Sequence, residues 1–196
     1  MLIMCFAENN LNSTDTSDCD GVKPLAYIEI SKKLISDVIQ RRGKFSSQQD
    51  FDKDWESYKN VFGNLTKEFW LGNENIRILC LKGCEIRFDL QDVEGEKGFA
   101  LYKSFNLSSS NYRLSISGYT GNVDGMQHFN QDFSTKDKGD TVTAKAGKGG
   151  WWHNEGNFNN LNGIYLPGKD MYLSVSWYEW RHYKNLARVE IKVRPN

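Results

Sequence analysis

The stretch DFDKDWESYKNVFGNLTKEFWLGNENI, from Asp50 to Ile76, is the most regular part of the sequence. Its first half places aromatic side chains at the spacing i, i+4, i+7 and i+11, which is the spacing of one face of an α-helix. Aspartates lie in what would be the first turn, where carboxylates are favourable because the helix dipole is positive there. The pattern therefore predicts a helix from Asp50 to Phe62. Its aromatic stripe consists of Phe51, Trp55, Tyr58 and Phe62.

On either side of this stretch, apolar and polar side chains alternate in a way that predicts β-strands. The clearest example is EIRFDL, Glu85 to Leu90, and clusters of Gly, Asn and Asp separate the segments, as is typical of an antiparallel meander. We therefore expect an α+β fold with early strands and a helix, a central antiparallel sheet, and a loop-rich C-terminal part in residues 132–168. The other strand candidates are Tyr27 to Ile30, Val38 to Ile39, Gly98 to Phe105, Tyr112 to Ile116 and Val189 to Val193.

The composition restricts the classes of function. The 196 residues hold 25 Lys plus Arg and 25 Asp plus Glu, whereas proteins that bind nucleic acid through its phosphates normally show a basic excess. No stretch approaches the roughly 18 apolar residues of a membrane span. We therefore expect neither nucleic-acid binding nor a membrane span. The aromatic content of 13% fits either a recognition surface or a core rich in rings.

The N-terminal part predicts secretion. Residues 1–7, MLIMCFA, resemble the end of a signal peptide, and residues 8–23 are a polar lead-in without periodicity. We expect the ordered domain to occupy residues 24–196. Sequons at Asn12, Asn64 and Asn106 are compatible with glycosylation in the secretory pathway.

The four cysteines are Cys5, Cys19, Cys80 and Cys84. Only three residues separate Cys80 from Cys84, and this turn-like spacer allows either a local disulfide or two reduced, buried thiols. Neither a CxxC motif nor a Cys/His metal spacing occurs.

Sequence patterns of catalytic sites are absent. The histidines His128, His153 and His182 have no partner at a metal or nucleophile spacing, and the GxSxG, HExxH, Walker and Rossmann patterns do not occur. We therefore expect no enzymatic activity.

The residues from Asp50 to Ile76 resemble the signature of the fibrinogen-related domain, the C-terminal globular module of fibrinogen chains, ficolins, tachylectins, tenascins and angiopoietins. The resemblance continues in order from about Pro24 to the C-terminus. It implies an α+β module of three subdomains, ligand binding in the C-terminal loops, secretion, frequent oligomerisation and non-enzymatic recognition. The further matching phrases are VIQRR at Val38, EIRFDLQDVEG at Glu85, NYRLSISGYTGN at Asn111, FSTKD at Phe133, WWHN at Trp151, NLNGIYLPG at Asn160 and VEIKVRP at Val189.

The resemblance also implies where a ligand would bind. In acetyl-binding members a pocket in the C-terminal loops receives an acetamido group, but here Gly147 stands where a Tyr is expected, and Asn157 stands where a His is expected. We therefore do not expect this chain to share the N-acetyl specificity of those members. Core packing is the alternative role for the tryptophans. The ligand-binding candidates are Trp152, His153, Asn157, Tyr172, Trp177 and Tyr183.

Two disulfides of the family lack their usual partners in this chain. The resemblance places the first bridge at Cys19 and a position near Ile28, and it places the second at Thr143 and Gly156. We therefore expect both bridges to be lost.

The family's calcium loop follows the phrase FSTKD. Asp137 and Asp140 are the calcium candidates here, while Gly139 stands where a further acid is expected. Calcium favours six to eight oxygen ligands, several of them carboxylates. This loop offers few of them, so no cofactor is expected beyond a possible calcium ion.

Three functions remain open. The first is a lectin-like protein that binds glycans or microbial surfaces, the second is a protein ligand for a cell-surface receptor, and the third is a diverged copy that has lost sugar and calcium binding. No coiled coil or collagen repeat precedes Pro24, so we expect any oligomer to form without a stalk in this chain.

Overall fold

The computed structural model describes residues 37–126, 130–154, 159–171 and 174–196. Several predicted features lie outside these residues: the signal-like run 1–7, the polar lead-in 8–23, the strand candidate Tyr27 to Ile30 and the sequon at Asn12. Within the described chain the fold is α+β with a central antiparallel sheet, as the alternating segments predict.

A seven-stranded sheet organises the fold, with the strand order β2-β3-β1-β9-β4-β5-β6. All of its strand pairs are antiparallel, and β1 and β9 pair directly although they lie near opposite ends of the described chain. The strands are β1 (Asp37–Arg42), β2 (Phe62–Gly63), β3 (Phe69–Trp70), β4 (Cys84–Gln91), β5 (Lys97–Leu107), β6 (Leu114–Gly121) and β9 (Arg188–Pro195), while β7 (Asn159–Asn160) and β8 (Ser176–Trp177) form a second, two-stranded sheet.

Strand β4 shows how the alternating pattern is used. Ile86, Phe88 and Leu90 are buried, whereas the side chains between them are only partly covered. Because successive side chains of a strand point to opposite faces, the sheet has an inner face against the core and an outer face towards solvent. The strand predicted from Glu85 to Leu90 is confirmed.

The helix predicted from Asp50 to Phe62 is wrong in length. Only five residues of that stretch form a helix, which starts where the Asp54 side chain accepts a hydrogen bond from Ser57 N and ends at the extended Asn60. The described chain has four helices, all short: α1 (Trp55–Lys59), α2 (Asn73–Leu79), α3 (Thr141–Gly147) and α4 (Tyr178–Arg181).

The aromatic stripe nevertheless packs together, although its members come from three different local structures. The Phe51 ring precedes α1 and lies 5.1 Å from the ring of Phe62 in β2. The Tyr58 ring of α1 lies 5.1 Å from Phe62, and the Tyr58 hydroxyl donates to Phe51 O at 2.7 Å. The helical spacing of these rings therefore does not reflect one long helix. The chain folds back on itself, and the rings of the stripe pack against one another.

Two further boundaries differ from the prediction. The segment expected to be loop-like, residues 132–168, contains α3 and β7. Strand β6 begins at Leu114 rather than at Tyr112, because Tyr112 has a positive φ of 48° and turns the chain before the strand.

Aromatic rings fill the core beneath the inner face of the sheet. Trp70, Trp151 and Trp152 are completely buried, and the Trp152 ring lies 5.1 Å from Trp151 and 6.2 Å from Trp70. Phe133 packs edge-on against Trp152 at 5.3 Å. Ring pairs at these separations add to the stabilisation from area burial. Much of the 13% aromatic content therefore belongs to the core.

Cys80 and Cys84 form a disulfide that connects the end of α2 to the start of β4. Both residues are buried. Of the two alternatives that the sequence left open for this pair, the structure shows the bridge.

Candidate functional site

Buried asparagines hold the C-terminal loops in position. Asn160 donates to Gly147 O at 2.6 Å, and Asn162 donates to Gly150 O at 2.9 Å. A side-chain amide suits this role because it supplies both a donor and an acceptor to loop backbone. Sequence analysis missed these residues, and the Asn-rich phrase NNLNG, residues 159–163, is the signal that points to them.

Asn159 fixes the start of α4 through both ends of its amide group. Its Oδ1 accepts a hydrogen bond from Tyr178 N at 2.6 Å, and its Nδ2 donates to the Glu179 carboxylate at 2.7 Å. Asn159 itself is fully buried. Asn159 therefore helps to fix the orientation of α4, together with the ion pair between Arg181 and Asp92 at 2.8 Å.

Three rings at and after α4 form what we call the aromatic cluster: Tyr178, His182 and Tyr183. The Tyr178 ring lies 5.0 Å from the His182 ring and 5.0 Å from the Tyr183 ring. Tyr178 and Tyr183 are half-buried and His182 is exposed. Tyr183 is one of the predicted ligand residues, whereas Tyr178 and His182 are not among them.

The backbone of His182 is unusual. It has φ of 52°, in the left-handed region that side chains other than glycine seldom adopt, and it ends α4. Such conformations often occur at functional sites, where the surrounding structure enforces them. The turn aims an exposed imidazole out of the fold beside two partly exposed phenol rings.

Two of the predicted ligand residues are tryptophans that lie completely within the core. The indole of Trp152 donates to Tyr112 O at 2.7 Å, and the indole of Trp177 donates to Asp124 O at 2.9 Å. Neither ring presents a surface to solvent. The core role that the sequence left as the alternative is the one that the structure shows for both.

The other predicted ligand residues divide into buried and undescribed positions. His153 is buried, with Nε2 2.9 Å from Gly149 O, a contact that requires the proton on Nε2. Asn157 and Tyr172 lie outside the described residues. Of the six predicted positions, Tyr183 is the one seen at the surface in the described chain.

The two calcium candidates are used as internal caps. Asp137 accepts hydrogen bonds from Trp55 N at 2.9 Å and from the Thr135 hydroxyl at 2.7 Å. Asp140 caps α3 by accepting from Thr143 N at 3.0 Å. Burial opposes ionisation of Asp140, but the hydrogen bonds from Thr143 outweigh it and lower the pKa of the carboxyl.

These residues offer a calcium ion few free carboxylate oxygens. Calcium favours six to eight oxygens, whereas both carboxylates here already bind backbone N–H groups. Between them in sequence, the Lys138 ammonium lies 3.8 Å from the centre of the Trp55 ring. Within the described ranges, no three His, Cys, Asp or Glu side chains are close enough to hold a metal ion.

A buried ion pair connects the sheet to the C-terminal loops. Arg42 of β1 pairs with Glu68 at 3.1 Å, and both side chains are almost completely buried. The guanidinium also donates to Gly163 O at 2.9 Å and lies 4.0 Å from the centre of the Phe51 ring. One cation therefore joins the first described strand, the aromatic stripe and the loop after Asn162.

The two described sequons are exposed. Asn64 Oδ1 accepts hydrogen bonds from Thr66 N at 2.9 Å and from the Thr66 hydroxyl at 2.7 Å, so the sequon forms a tight local turn. Asn106 lies on β5 with its side chain exposed. Both positions are accessible to modification.

None of the helices in the described parts of the chain has the length and apolar character needed to cross a membrane.

Comparison with known proteins places these features in a family. The family model described as the C-terminal globular domain of fibrinogen beta and gamma chains matches residues 34–196. Techylectin-5A of Tachypleus tridentatus is 40% identical over 171 residues, which cover 81% of this chain and 59% of that protein. Angiopoietin-related protein 7 of Homo sapiens is also 40% identical over 171 residues, covering 81% of this chain and 49% of that protein. The chain thus spans roughly half to three fifths of the length of these two relatives.

Solved structures agree with the sequence comparison. The fibrinogen-like globe domain of human ANGPTL2 has a TM-score of 0.74 and 36% identity, covering 81% of this chain and 79% of that chain. A lamprey fibrin D-dimer complexed with the peptide Gly-His-Arg-Pro-amide has a TM-score of 0.71 and 31% identity, covering 81% of this chain and 60% of that chain. The chain belongs to the fibrinogen C-terminal globular domain family.

Proposed function

We propose that this chain is a secreted, non-enzymatic recognition protein whose C-terminal loops bind glycans. The observation that carries the proposal is the aromatic cluster of Tyr178, His182 and Tyr183. A sugar site needs an apolar wall and a few fixed polar groups, and the cluster offers exposed ring surface next to ionisable and hydroxyl groups.

The supporting structure beneath the cluster favours binding. Asn159 fixes the first turn of α4 by two hydrogen bonds, and the buried Trp177 ring packs against Phe88 of the sheet at 5.3 Å. A site that is rigid before binding loses less conformational entropy when a ligand arrives. In this proposal Trp152, His153 and Trp177 support the loops, while Asn157, Tyr172 and Tyr183 remain candidates for ligand contact. The lectin name of the techylectin relative points to the same class of ligand.

A glycan array probed with secreted protein, in calcium and in EDTA, tests the proposal. We expect binding in both conditions, because the Asp140 carboxylate is occupied as a helix cap and the loop offers few other carboxylate oxygens for calcium. Tyr183→Ala should weaken binding by roughly tenfold or more, the loss expected for one well-packed ring contact. Tyr119→Ala, which removes another partly exposed tyrosine on β6, is the matched control and should bind as the wild type does. An array on which no glycan retains the protein would refute glycan binding.

A receptor-binding function is the second candidate, and the similarity to angiopoietin-related protein 7 favours it. On this alternative the aromatic cluster contacts a protein surface, since exposed aromatic side chains are also common in protein interfaces. Pull-down from cell surfaces separates the two candidates. A receptor should be captured with or without free sugar, and Tyr183→Ala should abolish the capture.

The third candidate, a diverged copy of low stability, has its own test. The continuous aromatic core supports a stable module, which should unfold in one cooperative transition. A melt without a transition would favour the diverged copy and would remove the basis for both binding functions.

Secretion and glycosylation are part of the same proposal. We expect secreted protein to carry N-glycans at Asn64 and Asn106, since both side chains are exposed. Intact mass before and after enzymatic deglycosylation, with Asn64→Gln and Asn106→Gln as single-site controls, measures the occupancy. Asn12 completes the set of candidate positions.

A further inference from the structure

The outer face of the large sheet carries a charge pattern that glycan binding by the C-terminal loops does not use. In the strand register Arg87 of β4 lies opposite Lys192 of β9, and Gln91 of β4 lies between Lys97 of β5 and Arg188 of β9. These positions form two basic rows across the sheet. The rows are four residues apart along the strands, which is about 13 Å at the usual rise of a strand.

Basic side chains outnumber acidic ones on this face, although the whole chain is neutral. The outward positions of β4, β5 and β9, together with Arg41 of β1, hold seven basic and three acidic side chains. The basic ones are Arg41, Arg87, Lys97, Lys103, Arg188, Lys192 and Arg194, and the acidic ones are Glu85, Asp89 and Glu190.

The acidic side chains of this face are less exposed than many of the basic side chains around them. The Glu190 side chain is 13% exposed, whereas its partner Arg188 is 59% exposed. Glu85 is 16% exposed and its partner Lys103 is 59% exposed. At Glu190 and Glu85 a ligand approaching from solvent therefore meets guanidinium and ammonium groups first, whereas Asp89 is 28% exposed and its partner Lys192 is 26% exposed.

Each acid is shared among several bases, which leaves N–H donors pointing to solvent. Glu190 pairs with Arg41 at 2.8 Å, Arg188 at 3.0 Å and Lys192 at 3.1 Å. Lys97 is exposed and has no acidic partner among the described side chains. A sulfate or carboxylate group arriving here gains donors without breaking an existing ion pair completely.

The basic rows also border a depression of about 400 Å³ in the sheet surface. The Phe99 ring forms part of its lining, and the guanidinium of Arg87 lies 4.1 Å from the centre of that ring. Asn122 adds a neutral amide to the lining. The depression thus combines charged donors with an apolar ring face and a side-chain amide. Asp89 and Glu190 also line it, between the two rows, and each of these carboxylates is paired with bases of the rows.

This face is separate from the aromatic cluster. Phe88 of β4 points to the inner side of the sheet, where its ring packs against Trp177 at 5.3 Å. The C-terminal loops therefore pack on the inner face, whereas Arg87 and Asp89, on either side of Phe88 in sequence, point outwards. The sheet itself stands between the two surfaces.

We propose that the outer face of the sheet is a second binding surface, and that its ligand is an acidic polysaccharide carrying sulfate groups. Several anionic groups along one extended chain match two basic rows about 13 Å apart, whereas a single small anion would meet only one row.

An acidic polysaccharide suits this face better than an anionic membrane does. Phe99 lies between the rows and Leu101 lies in the row of Arg87, and both side chains are only partly exposed, so neither is placed to insert into lipid. A flat bilayer would leave the depression between the rows unfilled, and strongly twisted sheets present few flat surfaces. A flexible polymer follows such a surface.

Retention on immobilised heparin, eluted with NaCl, tests the proposal on the whole secreted chain. We expect retention at low salt, and Lys97→Gln combined with Arg188→Gln should weaken binding by roughly tenfold at physiological ionic strength. The pair is chosen because Lys97 has no acidic partner and because Glu190 keeps Arg41 and Lys192 when Arg188 is neutralised.

The matched control is Lys59→Gln combined with Lys145→Gln, on α1 and α3, which changes the net charge equally. It should elute like the wild type, as should Tyr183→Ala, because the aromatic cluster is a different site. Circular dichroism and thermal melts establish that all variants fold. Three results would overturn the proposal: no retention of the wild type, equal losses in both double variants, or binding to anionic phospholipid vesicles without binding to heparin.

Discussion

At the scale of single residues, the buried pair of Arg42 and Glu68 is a sensitive point in the fold. Removing one partner of a buried ion pair leaves an uncompensated charge, which typically costs about 3 to 5 kcal/mol. Arg42→Met should therefore lower the free energy of unfolding by about that amount, measured by urea denaturation. It also removes the donor to Gly163 O, so the loop after Asn162 should lose protection against hydrogen exchange.

Two variants separate charge burial from other effects of this substitution. Arg42→Met combined with Glu68→Gln removes both charges but keeps an acceptor for Gln49 N, which now bonds to the Glu68 carboxylate at 2.7 Å. The double variant should recover part of the stability. Arg113→Met breaks an exposed pair with Asp132 and should cost no more than about 1 kcal/mol. Equal losses at Arg42 and Arg113 would contradict the role assigned to burial.

Some contacts and burial of single residues could be predicted from the sequence, and others could not. Local spacing was enough to suggest the Cys80–Cys84 bridge, because only three residues need to turn. The burial of Trp152 and Trp177 was not predictable from spacing, since it depends on Trp70, Phe88 and other residues far away in the chain. Asn159 was missed for the same reason: its partners become neighbours only after β7 and β8 pair.

At the scale of elements, helix α3 and the loop before it should hold their structure without calcium. Asp140→Ala removes the N-cap and should destabilise the protein by about 1 kcal/mol, whereas Asp140→Asn keeps a good cap and should cost much less. Differential scanning calorimetry in calcium and in EDTA checks the claim. We expect the same melting temperature in both buffers for the wild type and for each variant. A melting temperature that rises with calcium would show that this loop binds the ion after all.

The disulfide between α2 and β4 should contribute modestly, because the loop it closes is short. By loop-closure entropy a bridge of this size stabilises the native state by about 2 kcal/mol. Cys80→Ala combined with Cys84→Ala should lower the free energy of unfolding by about that amount. Thiol labelling of the unfolded wild type, with and without reductant, verifies the bridge. Two labelled cysteines without reductant at these positions would contradict it.

Strands could be predicted from the sequence where the alternation of apolar and polar side chains was enough to identify them. Strands β4 and β9 show strict alternation because one face is buried and the other meets solvent. The helix predicted from the aromatic stripe is wrong in length, because Phe51, Tyr58 and Phe62 pack against one another from a loop, a helix and a strand. Side-chain spacing along a sequence does not distinguish a continuous helix from a chain that folds back on itself.

At the scale of the whole molecule, the order of the strands could not be predicted from the sequence pattern. Alternation shows which side chains share a face, but it does not show that β1 pairs with β9, since register and neighbours are set by contacts across the whole chain. That pairing brings Arg41 beside Glu190 and so completes the set of three bases that share this carboxylate. The basic rows on this face likewise become visible only when the strands are assembled.

Because Glu190 joins β1 to β9, its ionisation should control the stability of the assembled sheet in acid. Burial alone would raise the pKa of Glu190, but hydrogen bonds from Arg41, Arg188 and Lys192 lower it to about 2, against 4.5 for an ordinary glutamate. A lowered pKa means that the stabilisation is present above about pH 4.5 and is lost as the pH falls towards 2.

Glu190→Gln should therefore cost about 2 to 3 kcal/mol at pH 7, and roughly half of that difference from the wild type should disappear by pH 3. Urea denaturation of both proteins at the two pH values measures the change. Glu56→Gln is the matched control, because that carboxylate is 69% exposed and lies 3.6 Å from its partner Lys59. It should cost little at either pH. If Glu190→Gln costs as much at pH 3 as at pH 7, the ion pairs around Glu190 do not hold the two ends of the described chain together, and the contribution of this residue is one of packing alone.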